Sequence, residues 1–154
     1  AERYCWFMTP YLIITDEMTH ALCLAAKRGV DVRIITPGMP DKKLIYSITR
    51  SFYHGLVKNG VRIYEWTPGF CHAKMSVADD CMATCGTINL DYRSLYHHFE
   101  NGCFMADSQT VLDIRDDLGA TMNECREVTE KYRTGRSAYL RLGQLFMRLF
   151  AGLL

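Results

Sequence analysis

The order in which apolar β-prone runs alternate with helix-patterned ones constrains this chain most. Tyr4 to Thr9 is a short apolar run closed by Pro10, and reads as a strand. Asp16 then reads as an N-cap, with Met18, Ala21, Leu22 and Ala25 at helical spacing and Lys27 and Arg28 in the last turn. Gly29 stops that helix, and Val30 to Thr36 forms the next strand, ending at Pro37-Gly38. A second helix is expected over Lys42 to Lys58, with Leu44, Ile45, Ile48, Phe52 and Leu56 inward. It closes at Asn59-Gly60 and feeds a strand from Val61 to Trp66. A β-α-β-α-β order points to a largely parallel sheet covered by helices.

After Pro68-Gly69 the pattern changes. Cys71 to Ala78 and Cys81 to Cys85 read as two strands joined by an acidic turn, Asp79-Asp80, hence a hairpin. A further strand is expected from Glu100 to Met105, then helices over Ser108 to Tyr132 and Ser137 to Leu153. The expected fold class is therefore α/β, a mixed and mostly parallel sheet flanked by helices, with C-terminal helices. At 154 residues there is room for one cored domain. We divide it into a catalytic domain, residues 1–132, and a tail, residues 133–154. In the tail, Leu140, Leu142, Leu145, Phe146, Leu149 and Phe150 interleave with Arg136, Arg141 and Arg148. That is a basic amphipathic helix, suited to an anionic membrane surface or to packing on the domain or its partner.

A net charge of +1 provides no global field to attract nucleic acid, so no nucleic-acid partner is expected. Seven cysteines, an odd number without a C-x-x-C pair, read as small apolar fillers in a reducing compartment rather than a disulfide or metal framework. No uninterrupted apolar run reaches the ~18 residues of a membrane span. The start at Ala1, almost directly in a strand, suggests a piece of a longer protein.

The chemistry concentrates in Cys71-His72-Ala73-Lys74-Met75-Ser76-Val77-Ala78-Asp79 and in Gly86-Thr87-Ile88-Asn89. On a strand, His72 and Lys74 project from one face. If the hairpin forms, Asn89 folds back towards them. Lys74 as point charge, Asn89 as amide donor and Thr87 as hydroxyl suit the non-bridging oxygens of a phosphate. His72 can attack phosphorus or move a proton. A nucleophilic imidazole needs its second nitrogen oriented, and Glu100 is the candidate carboxylate. Asp79, at the turn, reads as a structural hydrogen-bonding residue. Asp91 and Arg93 read as an ion pair or as contacts to a phosphate or head group. His97 and His98 sit beside Glu100 in sequence, and alternation allows only one of them on the site's face.

The string His72-x-Lys74-x-x-x-x-Asp79, followed by Gly86-Thr87-x-Asn89, resembles the HKD signature of the phospholipase D superfamily. Thr9-Pro10-Tyr11, Ala25 to Arg33, Gly60 to Glu65 and Asn89 to Ser94 are similar to the second half of bacterial cardiolipin synthases, as is the basic, leucine-rich tail. The resemblance implies two HKD halves packed face to face, each giving a histidine to one site. One histidine forms a phosphohistidine; the other protonates the leaving alcohol and activates the incoming one. By analogy His72 takes the acid/base role, and Glu100 falls where the family has the acid that bonds its histidine. Phosphatidylglycerol, an anionic phospholipid, is the implied donor and acceptor, giving cardiolipin and glycerol. No metal or other cofactor is implied.

The first HKD half and the N-terminal membrane segments of such synthases are missing from this sequence. The resemblance then implies half a site, completed by an N-terminal half or by a homodimer, at the cytoplasmic side of a cell membrane. Alternative readings are a phospholipase D-type hydrolase, a homodimeric HKD nuclease, and a non-enzymatic phospholipid-binding domain. Retention of His72, Lys74 and Asn89 weighs against the last.

Overall fold

A computed structural model describes residues 1–39 and 41–134. Its core is a seven-stranded mixed sheet flanked by helices, the fold class expected. Strands β1 (Tyr4–Met8), β3 (Asp31–Pro37) and β4 (Arg62–Trp66) lie parallel, joined through helices α1 (Asp16–Lys27) and α2 (Lys43–Lys58). The other pairings are antiparallel. β5 (Met75–Ala78) lies against β1, followed outward by β6 (Met82–Gly86) and β8 (Gly102–Ala106). Parallel pairing in this sheet is thus confined to the neighbouring strands β1, β3 and β4. The sheet is mixed but, against expectation, not mostly parallel, because β5, β6, β8 and β9 (Cys125–Glu127) all enter antiparallel. A two-residue parallel ladder, β2 (Leu12–Ile13) with β7 (Leu90–Asp91), stands apart from the main sheet.

Local chemistry explains the ends. Thr15, not Asp16, caps α1: its hydroxyl accepts the Met18 N–H at 3.2 Å. Gly29 leaves α1 with φ +94°, a backbone glycine adopts without steric cost. The hairpin turn carries positive φ at Asp79 and Asp80, which short polar side chains tolerate. Asp79 then accepts the backbone N–H groups of Glu2, Arg3 and Tyr4 at 2.7–2.9 Å, binding the N-terminus to the turn.

Several expected spans move. The strand expected from Cys71 begins only at Met75, because β1 ends at Met8, paired with Met75, and Pro10 has no N–H to extend the ladder. The strand expected from Glu100 begins at Gly102. The helix expected over Ser108 to Tyr132 is broken. Helix α3 (Gln109–Glu124) gives way to β9 (Cys125–Glu127), which pairs with β4 and covers its open edge, before α4 (Thr129–Thr134). Of the inward positions expected, Ala21 and Leu44 are exposed, whereas Leu22, Ile48, Phe52 and Leu56 are buried. The helix expected over Ser137 to Leu153, and nearly all of the tail, lie outside the described residues.

Two apolar clusters sandwich the sheet. Leu12, Ile14, Ile34 and Ile63 form one with Phe52 and Leu56 of α2. Met8, Ile35, Val77 and Ala83 form the other with Val111 and Leu118 of α3. Each fully buried aliphatic contributes roughly 1.5–3 kcal/mol. Buried Glu65 on β4 is gripped by Arg50 through both carboxylate oxygens at 2.9 Å and by Arg126 at 2.8 Å, tying α2 and β9 to that strand. No helix among the described residues is long and apolar enough to cross a membrane.

Candidate active site

The fold brings the chemical residues to the carboxyl edge of the parallel strands, where open α/β sheets bind ligands. From Trp66 the chain crosses this edge and enters β5 antiparallel to β1, so His72 and Lys74 sit just beyond the end of β1. Gly38 permits the crossover to pass closely. Its N–H donates to the Trp66 carbonyl at 2.7 Å, and a Cβ there would meet that same oxygen at 2.7 Å.

His72 and Lys74 project from one side of this extended segment, though it is not strand. The Lys74 ammonium donates to Nδ1 of His72 at 2.9 Å and to the His72 carbonyl at 2.6 Å. An ammonium can only donate, so Nδ1 is an acceptor and the neutral ring carries its proton on Nε2. Partial burial pulls the Lys74 pKa below that of an ordinary lysine, opposed by the carboxylates of Glu100 and Asp91. The His72 ring has two aromatic neighbours, Phe70 at 5.8 Å and Tyr11 edge-on at 6.2 Å. Tyr11 donates to Asp41 at 2.6 Å, and burial with that carboxylate pushes its phenol up to about 12.

Gly86-Thr87-Ile88-Asn89 follows β6 along the same edge, and the Gly86 N–H donates to the Lys74 carbonyl at 3.2 Å. Thr87 donates its hydroxyl to Glu100 and accepts the Asn101 N–H at 3.0 Å. The Thr87 hydrogen bond, then the Ser94 hydroxyl and the charges of His98 and Lys74, hold the Glu100 carboxyl below the usual range, against desolvation. Ser94 Oγ is buried yet reaches no partner at hydrogen-bonding geometry. Glu100 therefore stands within the electrostatic field of Lys74 but makes no hydrogen bond to His72, whose Nδ1 is taken by Lys74. The sequence expectation of a direct Glu100–His72 contact is not met in this structure.

Asn89 lies between Ile88 and Leu90, and its carboxamide oxygen is buried without a partner. Such atoms are rare and call for a physical explanation. A half-turn of the amide replaces the acceptor with an N–H donor, which an anionic oxygen would satisfy. Asp91 is buried and accepts the Ser94 N–H at 2.8 Å, capping a π-helical turn, Arg93–His97. Arg93 is exposed and forms no ion pair with Asp91, contrary to one expectation. Asp79 lies at the far end of β5, where its carboxylate accepts backbone N–H groups of the N-terminus. His97 and His98 are both exposed.

Beside Lys74 opens an apolar cleft of about 230 Å³ lined by Phe7, Met75, Ile88, Leu90 and Phe104. Neither this cleft nor the Tyr11–Asp41 pair was legible as part of a site. Thr9-Pro10-Tyr11 carried only a resemblance, without a role. No cluster of three or more potential metal ligands occurs among the described residues.

Residues 1–122 match the family model described as cardiolipin synthase, phospholipase D-like domain. An uncharacterized protein of Streptococcus mutans is 48% identical over the whole chain, which spans 33% of it. Cardiolipin synthase 2 of Bacillus cereus is 34% identical over the whole chain, which spans 30% of it. The chain thus covers about a third of the length of these curated relatives. Among solved structures, a phospholipase D family member, Nuc from Salmonella typhimurium, superposes with TM-score 0.71 at 18% identity, covering 82% of each chain. Phosphatidylserine synthase of Haemophilus influenzae gives TM-score 0.68 at 16% identity, over 98% of this chain and 40% of its own. With most of its length matched by one family model, the chain belongs to the cardiolipin synthase family of phospholipase D-like domains.

Proposed function

We propose that this chain provides one half of a phosphatidyl-transfer site that makes cardiolipin and glycerol from two molecules of phosphatidylglycerol. The observation that carries the reading is the 2.9 Å contact from Lys74 to Nδ1 of His72, supported by the buried, unpartnered carboxamide oxygen of Asn89. Lys74 and Asn89 would hold the non-bridging oxygens and stabilise charge in the pentacoordinate transition state. His72 acts as the acid in its imidazolium form, giving up the Nε2 proton and keeping one on Nδ1. A histidine from the other half attacks phosphorus and forms a P–N bond, while His72 gives its proton to the departing glycerol. His72 then takes the hydroxyl proton of the second phosphatidylglycerol, whose oxygen attacks phosphorus and releases the first histidine. When the phosphate draws Lys74 away, Nδ1 takes up a proton from water and donates it to the carboxylate of Glu100, which Thr87 holds ionised.

The other half is an N-terminal HKD domain or a second copy. Residues 1–132 act as the catalytic unit, and the basic tail, residues 133–154, contacts an anionic membrane surface. Thr87 and Asn89 face the phosphate directly, Asp79 supports the hairpin, and Asp91 shapes the turn that presents Ser94 and Arg93. The test mixes the chain with the N-terminal half and phosphatidylglycerol vesicles. Equimolar cardiolipin and glycerol are expected, with at least a 100-fold loss in His72→Asn, the lower bound of a general-acid contribution of about 10²–10⁴. Phosphatidic acid as the only product makes the protein a hydrolase, and undiminished turnover in His72→Asn removes the proposed chemistry.

A further inference from the structure

The sequence reading took the cysteines as fillers, but Cys85 and Cys103 are exposed and stand directly opposite each other on antiparallel β6 and β8. Opposed residues of an antiparallel pair place their side chains on one face. Met75, Ala83 and Met105 share that face under α3, so the two thiols lie just beyond the helix's cover. The Thr87 N–H donates to Asn101 and the Asp107 N–H to Cys81. Counting by twos from either end, Cys85–Cys103 falls at a hydrogen-bonded position, where Cα atoms stand about 5.5 Å apart. That separation lies inside the roughly 4.4–6.8 Å range of disulfides. The next register pair is Gly86 with Gly102, and beyond it Thr87 bonds Glu100.

We infer that Cys85 and Cys103 form a thiol–disulfide site for low-molecular-weight disulfides, whose oxidised form clamps β6 to β8 beside the phosphate cradle. The thiolate of one cysteine attacks the small disulfide and releases one small thiolate, leaving a mixed disulfide on the protein. The second cysteine, deprotonated, attacks the protein-side sulfur and expels the second small thiolate. Two protein thiols lose two electrons and two protons, and the small disulfide is reduced to two thiols. Three of the five competing thiols are less suited. Burial pushes Cys5 and Cys125 up to about 11 and raises Cys23, leaving them little thiolate at neutral pH. Because the pair is exposed, the bond is also open to reduction, which makes the site reversible.

The experiment incubates the chain with oxidised glutathione, then counts thiols in denaturant and maps linked peptides. Two of the seven thiols are expected to be lost, with one chain's Cys85 peptide linked to its own Cys103 peptide. Cys85→Ser should instead retain a stable glutathione adduct on Cys103; dithiothreitol should restore all seven thiols in the native chain and all six in this variant. In the double variant Cys71→Ser with Cys125→Ser, the loss of two thiols should persist. Seven reactive thiols after treatment, linkage between other cysteines, or linkage only between separate chains would overturn the inference.

Discussion

Gly86 and Gly102 face each other across β6 and β8, yet their substitutions should differ sharply. A Cβ at Gly86 would lie 2.4 Å from the Asn101 carbonyl oxygen and 2.5 Å from Gly102 Cα. Both are backbone atoms, so relief requires moving the start of β8 by about 1 Å to reach ordinary contact at 3.4 Å. That shift carries Glu100 and Asn101 away from Thr87, which bonds both. A Cβ at Gly102 meets only Ile88 Cδ1 at 3.5 Å and the Cys85 carbonyl at 3.7 Å, ordinary contacts. Neither glycine has positive φ, so conformational freedom does not separate them. Gly86→Ala should therefore cost about 1–3 kcal/mol by overpacking, and Gly102→Ala no more than ~0.5 kcal/mol. With a urea m-value of about 2 kcal/mol/M, the first moves the unfolding midpoint down by roughly 0.5–1.5 M and the second by less than ~0.3 M. Equal midpoints for the two variants would refute the close-approach argument.

Glu65→Gln should destabilise by about 3 kcal/mol, the low end for breaking a buried ion pair, whereas Arg126→Ala should cost under ~1 kcal/mol. The difference arises because the Arg126 side chain is 57% exposed and can regain water, while Glu65 is fully buried; chemical denaturation checks both. Asp80 is held at about 2 by the Tyr4 hydroxyl and Arg115, below its ordinary value. Its folded pKa is depressed, so it stabilises above the unfolded pKa of ~3.9 and loses that contribution as pH falls towards about 2. Melting temperatures followed from pH 5 to pH 2 should therefore fall less steeply in Asp80→Asn than in the native chain.

How legible the molecule is in its sequence depends on the scale of the signal. The central β-α-β-α-β unit could be read because each helix and strand carries its own period and stop signals, as at Gly29 and Asn59-Gly60. The residues that converge on one edge could be read because His72 and Lys74 are two apart in an extended segment. β9 was not legible: Cys125-Arg126-Glu127 has no strand pattern of its own and pairs because β4 leaves an open edge with Arg62 and Glu65 waiting. The start of β5 was misplaced because Pro10, distant in sequence, ends the partner strand. Contacts such as Tyr11–Asp41 and Thr87–Glu100 join residues thirty and thirteen positions apart, and no local pattern encodes them.

The proposed transfer turns on an imidazole and an ammonium that jointly receive a phosphodiester. The most direct measurement follows the His72 ring nitrogens by NMR while glycerophosphoglycerol, the head-group phosphodiester, is titrated into the chain. A saturable shift of both His72 nitrogens is predicted, with Nδ1 losing its Lys74 donor as the ammonium turns to the anion, and no shift in Lys74→Met. Ring signals that stay unmoved in the native chain, or that move equally in Lys74→Met, would contradict it.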